Sequence, residues 1–149
     1  MKKKLTQKEK ILTSLTGEFL IASKLCQMGY FASLTLKNYP ETDIFVLGKN
    51  GRTIAIQIKT QREINTANKL LHVPERVENT SNPFVYVWVK KDESIDCYVI
   101  PSRDLAEISK RQRDEYISSK PHVSKEQMRM IALSALQPYK DRWDLLGLD

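Results

Sequence analysis

Near the start of the chain, Ile11, Leu12, Leu15, Phe19, Ala22 and Cys26 recur at helical spacing until Gly29. Thr6-Gln7-Lys8-Glu9 just ahead of them has the form of a capping box, so the pattern predicts a long first helix. The period then changes. Residues 30–36 are rich in aromatic, Thr and aliphatic side chains without a breaker, which predicts a strand, and residues 38–42 around Pro40 predict a turn. Residues 43–47 resume as a second strand. Beyond Asn50-Gly51, a strong hairpin signal, Ile54, Ile56 and Ile58 alternate with Ala55, Gln57 and Lys59, the pattern of a strand with one apolar face.

Residues 61–82 are polar and without sustained periodicity, and predict a long surface excursion with at most a short element. Phe84-Val85-Tyr86-Val87-Trp88-Val89 is apolar on both faces and predicts a central strand, its Tyr86 and Trp88 belonging to the core. A turn near residues 92–94 leads to a further strand over residues 97–100. Pro101-Ser102 ends the sheet, with Ser102 as the cap of a helix to about Arg113. Ser124-Lys125-Glu126-Gln127 forms a second capping box, opening a helix that must end before Pro138. Trp143, with Tyr139, Leu145 and Leu146, predicts a helical turn packed on the core or on another subunit. The expected order is a helix, four or five strands with a long loop, then two helices.

Composition narrows the class. With 149 residues, 41% of them hydrophobic, and five Gly and six Pro, the chain reads as one domain over residues 1–149 with a real core. Lys and Arg number 24 against 18 Asp and Glu, a net charge of +6, which favours a polyanionic partner. The apolar runs are too short to span a bilayer, so no membrane is expected. Met1-Lys2-Lys3-Lys4 looks like the opening of a signal peptide, but Lys8, Glu9, Lys10 and Glu18 interrupt any apolar region after it, so a cytoplasmic protein is expected. Cys26 and Cys97 read as ordinary thiols, and His72 and His122 are too few for a His-rich zinc site.

Four polar residues stand out. Glu18 has Leu15, Ile21, Ala22 and Leu25 as helical neighbours; it lies either at the edge of the stripe, in water or paired with Lys or Arg, or in a site that needs it. Asp43 begins the second strand, where it either caps a turn or contributes chemistry. Gln57 and Lys59 share the strand face opposite the isoleucines. Hairpin register decides whether they converge. A two-residue loop at Asn50-Gly51 sets Asp43 opposite Ile58, on the wrong face; a three-residue loop Lys49-Asn50-Gly51 sets it opposite Gln57 with Lys59 as a diagonal neighbour. The resulting set of carboxylate, amide and ammonium, joined by Glu18, suits phosphodiester hydrolysis. A hard cation such as Mg²⁺ takes oxygen ligands and keeps several waters, so one or two carboxylates with neighbouring carbonyl oxygens suffice to hold it.

Glu18, Pro40-Glu41-Thr42-Asp43 and Gln57-Ile58-Lys59 resemble the PD-(D/E)xK nuclease superfamily over about residues 10–113. The resemblance implies an α/β, restriction endonuclease-like αβββαβ core: a central mixed sheet of four to five strands flanked by helices, with a C-terminal helical extension over about residues 114–149. It implies Asp43 as a metal ligand, Lys59 as the catalytic lysine, Gln57 as the residue two before it, and Glu18 as the helix acid of resolvase-like and Mrr-like enzymes. Mg²⁺, or Mn²⁺ in its place, would be held by Asp43, Glu18, Gln57 and the backbone carbonyl of Ile58. Gln57 replaces the usual acid, as in Mrr-like enzymes and a small class of bacterial homing endonucleases, and Pro40 stands three residues ahead of Asp43 instead of directly before it.

The implied function is a metal-dependent DNA endonuclease, with a homing endonuclease fitting the chain's size. Cutting both strands requires a symmetric dimer or tetramer on a palindromic site. Arg62, Lys69, Arg76, Lys90 and Lys91 are the candidate DNA contacts, each of which can equally be a solvated surface charge. The alternative is a catalytically weak or inactive nuclease-fold module that binds nucleic acid, with Gln57 as the mark of lost metal affinity.

Overall fold

The computed structural model describes residues 4–36, 39–64, 69–120 and 129–149. Helix α1 spans Gln7–Gln27 and opens with the expected capping box: Thr6 Oγ1 accepts from the Glu9 N–H at 3.2 Å, and Glu9 Oε2 accepts from the Thr6 N–H at 2.7 Å. Its face is not the predicted one. Thr13, Gly17, Ile21 and Leu25 form the buried row, whereas Ile11, Leu12, Phe19 and Cys26 are exposed. The cause is a close approach: a Cβ on Gly17 would stand 1.7 Å from Thr60 Oγ1, so only glycine lets the helix backbone lie directly on the sheet.

Strands β1 (Phe31–Leu34), β2 (Ile44–Leu47), β3 (Thr53–Arg62), β5 (Phe84–Val89) and β6 (Ile95–Ile100) form one sheet in the order β1-β2-β3-β5-β6. Only the β3–β5 pair within it is parallel. The central strand β5 is buried at every position, as its two-sided apolar pattern predicts. Val85, Val87 and Val89 join Ile56, Ile58, Ile21 and Leu25 on the α1 side. Phe84, Tyr86 and Trp88 join Leu105 and Ile108 of helix α2 (Ser102–Ser119) on the other side, with Leu71 of β4 (Leu70–His72) and Ile131 of β7 (Met130–Ala132). Among the described residues the β1–β2 end of the sheet has no such cover on that second side, and Phe31, Phe45 and Leu47 are exposed, with Tyr39 edge-on to Phe45 at 6.2 Å.

The β2–β3 hairpin takes the three-residue loop. Ile44 pairs with Ile56 and Leu47 with Thr53, the Gly48 N–H donates to the Arg52 carbonyl at 2.8 Å, and Gly51 has φ +78°. Residues 147–149 clamp this loop: the Lys49 N–H donates to the Leu148 carbonyl at 2.8 Å, Asn50 Nδ2 to the Gly147 carbonyl at 3.1 Å, and the Tyr30 hydroxyl to Asp149 at 2.7 Å.

Several local expectations change. The excursion after β3 is not purely superficial, because Leu71, Val73 and Val77 are buried and β4 pairs with β7. The αβββαβ outline would put a helix in the β3–β5 crossover, whereas its described residues hold β4 and a 3₁₀ turn at Val77–Asn79, and α2 follows β6. Ser102 is the first residue of α2, whose N-cap is Pro101, and α2 runs on to Ser119 instead of ending near Arg113. The capping box at Ser124 and residue His122 lie outside the described residues. After it, Met130–Ala132 is a strand, and the helical content is the 3₁₀ turns Leu133–Tyr139 and Trp143–Leu146. Pro138 and the β4 pairing favour these short turns over a regular helix. Trp143 and Leu146 do pack on the α1-side core.

Candidate functional site

The site grows out of the turn that carries the chain from β1 to β2. Thr42 is buried, and its carbonyl accepts from Thr35 Oγ1 at 2.7 Å. The Thr35 N–H donates to the Asp43 carbonyl at 3.0 Å, and the Asp43 N–H donates to the Ile56 carbonyl at 2.9 Å. Asp43 is thereby pinned by both neighbouring strands. Glu41 just before it holds φ +59°, a left-handed conformation costly for a residue with a side chain and sustained only where the surroundings enforce it.

Strand β3 runs on past the beginning of β2, so the Ile58 N–H has no backbone partner on that side. Asp43 Oδ2 takes it at 2.6 Å. Polar groups of one strand residue point to the same side, so the Ile58 carbonyl also faces the gap between the strands. One carboxylate oxygen of Asp43 thus closes the sheet edge, and the other remains for a ligand.

Glu18 meets Asp43 here. It is half-buried at the border of the buried row of α1, and Ser14, one turn earlier, donates its hydroxyl to Glu18 Oε1 at 3.1 Å. Glu18, Asp43, Thr42, Tyr39 and Leu36 line one cleft of about 240 Å³. Among the described residues no Lys or Arg forms an ion pair with Glu18, so its position is not explained by charge pairing.

The pairing of β2 and β3 ends at Ile44 and Ile56, and Asp43 bonds to Ile56 instead of standing opposite Gln57. Gln57 shares the α2 side of the sheet with its register partner Phe84 and lines a neighbouring cleft of about 340 Å³ with Glu41, Arg76 and Thr80. Lys59 lies on the same face of β3, half-buried beside Tyr86, its parallel register partner, and lines neither cleft. The structure therefore brings Glu18, Asp43 and the Ile58 backbone together, and leaves Gln57 in the neighbouring cleft and Lys59 further along the strand.

The donors gathered here are two carboxylates and the Ile58 carbonyl, with the Gln57 amide in the adjoining cleft, all oxygen chemistry preferred by a hard divalent cation such as Mg²⁺. Among the described residues no three His, Cys, Asp or Glu side chains gather closely enough to hold a metal, so such an ion would fill its shell with neutral oxygens and water.

The basic candidates divide. Arg76 lines the Gln57 cleft. Arg62 is held by both oxygens of Glu93, at 3.1 and 2.9 Å. Lys90 pairs at 3.0 Å with Asp96, which also binds Lys140 at 3.1 Å. Burial would raise the Asp96 pKa, but the two lysines hold its carboxyl below the ordinary value. Arg62 and Lys90 stand at the far end of β3 and β5, roughly 16 Å from Gln57 at about 3.3 Å per residue. Lys69 and Lys91 are exposed. The supporting residues Ser14, Thr35 and Tyr39 escape the sequence reading, and Thr42 entered it only as part of the Pro40-Glu41-Thr42-Asp43 stretch; Ser14, four residues ahead of Glu18, left a signal there, a one-turn spacing.

No family model matches the chain, and no curated protein matches it. Among solved structures it is similar to a bacterial homing endonuclease, with a TM-score of 0.52 and 14% identity over 91% of this chain and 90% of that one. The likeness is one of fold: this chain's mixed α/β architecture, a five-stranded central sheet flanked by helices, is similar to that structure. Among the described residues no helix is long and apolar enough to cross a membrane.

Proposed function

We propose that this protein is a metal-dependent DNA endonuclease of the PD-(D/E)xK kind in its Gln-x-Lys form, working as a homing endonuclease does. The observation that carries the reading is the meeting of Glu18 and Asp43 in one cleft where β3 outruns β2. Glu18, Asp43, Gln57 and the Ile58 carbonyl would hold Mg²⁺ or Mn²⁺, which supplies Lewis acidity toward a phosphodiester. The chain's own residues do the rest. Asp43 is fixed in place by its three backbone bonds, so its free oxygen meets a ligand without losing further freedom. Ser14 orients the Glu18 carboxylate. Lys59 supplies a positive charge that orients the attacking water or offsets negative charge in the transition state. Gln57 contributes an oxygen but no charge, so metal affinity is expected to be lower than in an acidic version of the motif.

Each site cuts one strand, so cleavage of both calls for a symmetric oligomer on a palindromic target, whose mass light scattering would report. Supercoiled and linear DNA incubated with Mg²⁺ or Mn²⁺ tests the reading, with Asp43→Ala, Glu18→Gln and Lys59→Ala alongside. Metal-dependent nicking by the parent, reduced at least a hundredfold by each substitution, is the expected result. DNA that is bound but never cut with either metal would favour the alternative, a binding module that has lost its chemistry.

A further inference from the structure

A third cleft, about 790 Å³, opens where the beginning of β3, residues 80–83 and the first turn of α2 meet. It shares Thr80 with the cleft that Gln57 lines. The 18-residue helix α2 begins here without a side-chain cap, since its N-cap is Pro101, and its first closing bond is Leu105 N–H to the Pro101 carbonyl at 3.1 Å. Among the described residues the N–H groups of Ser102, Arg103 and Asp104 have no acceptor. Such a helix end carries a partial positive charge and three free donors.

A second, independent observation comes from Ser102. It is only 7% exposed, it lines this cleft, and its hydroxyl has no partner among the described residues. The hydroxyl is not sealed in the core either, because Thr60 Oγ1 is the one described side-chain atom both buried from solvent and unpartnered. What exposure Ser102 keeps is therefore toward the cleft. Arg52 and Arg103 line the same cleft; Arg52 makes no ion pair among the described residues, and Arg103 has only a 3.7 Å contact to its neighbour Asp104. Glu78 and Glu107 also line it, so the side-chain charges balance. Selection of an anion rests on the donors at the helix end, which a hydrated cation cannot satisfy.

We infer that this cleft is a phosphodiester-binding site in which the first turn of α2, the Ser102 hydroxyl and Arg52 hold a backbone phosphate of nucleic acid. The inference rests on the nuclease reading for the identity of its ligand. Because the cleft adjoins the one at Gln57, a strand anchored here leads toward Gln57, and the anchor sets position without reading sequence.

The test is a ¹H–¹⁵N titration of the full chain in EDTA with a short mixed-sequence duplex and, separately, with inorganic phosphate. It is paired with duplex affinity measured against salt for the parent, Arg52→Gln, Ser102→Ala and Lys59→Ala. Saturable shifts of the Ser102, Arg103 and Asp104 amides with duplex are expected. Arg52→Gln, an exposed position that leaves the core intact, should weaken binding several-fold on unrelated sequences and flatten the log–log salt slope by about 0.9 per lost phosphate contact. Amides that answer phosphate but not a duplex that binds elsewhere would overturn the inference in favour of a small-anion site. Silence toward both overturns it altogether. Duplex-induced shifts without cleavage in Mg²⁺ would sink the nuclease reading and leave the anchor standing; Lys59-dependent cleavage with silent amides would do the reverse.

Discussion

Thr60 Oγ1 is buried without a hydrogen-bond partner, and it occupies the space a side chain on Gly17 would need. A lost hydrogen bond and a helix-interior glycine are both costs, and the fold accepts them to bring α1, and with it Glu18, down onto β3. Gly17→Ala is therefore expected to destabilise the protein by about 1–3 kcal/mol through overpacking, more than offsetting the gain of about 1 kcal/mol from alanine in a helix. Thr60→Ala removes the orphaned hydroxyl and should cost less; combined with Gly17→Ala it should recover part of the loss in urea unfolding. The two cysteines give a second residue-scale prediction. Burial pushes the Cys97 thiol up to about 11, because the thiolate is the form that suffers from desolvation, while Cys26 is exposed. Alkylation of the native protein at pH 8 should modify Cys26 alone, with Cys97 labelled only after unfolding, as mass spectrometry of the peptides would show.

Among the elements, the β2–β3 hairpin matters most, since its loop sets the register that brings Asp43 against Ile56 and Ile58. Gly51 takes the left-handed position, but residues 147–149 also brace the loop, with Leu148 buried in the α1-side core. Leu148→Ala is expected to cost about 2–4 kcal/mol, and hydrogen exchange should show the loop amides opening before the rest of β3. The clamp is also acid-sensitive. The Tyr30 hydroxyl and Lys49 hold the Asp149 carboxyl below the ordinary carboxylate range. A lowered folded pKa contributes stability that is present above the ordinary value and fades as pH falls through the folded one. Comparing Asp149→Asn with the parent across pH 2 to 6 should show a gap at the upper end that closes toward the lower.

For the molecule as a whole, the +6 charge is distributed unevenly in its effect. Arg62 and Lys90 are committed to Glu93 and Asp96, so neutralising Arg62 should leave DNA affinity nearly unchanged, whereas Arg76→Gln, beside Gln57, should weaken binding and flatten its salt dependence. Fluorescence anisotropy on one duplex at several salt concentrations separates the two. The opposite pattern would move the nucleic-acid path to the far end of the sheet.

The places of the five main-sheet strands along the chain, the two-faced burial of β5, the capped start of α1 and the shared face of Gln57 and Lys59 are legible from residue order alone, because alternation, caps and turn chemistry are local. So is the candidacy of Glu18 and Asp43, since an acid beside apolar neighbours and an acid at a strand's first residue are local anomalies. Which face of α1 turns inward was not legible: it depends on Gly17 meeting Thr60, forty-three positions away. The same holds for the excursion that became β4, whose pairing partner β7 lies some sixty residues on. Two loop lengths were open at Asn50-Gly51, and the tertiary structure holds the longer one, braced by a segment nearly a hundred residues later. Local sequence determines what each segment can form; only packing between distant segments selects the rotation, the register and the cleft in which two carboxylates meet.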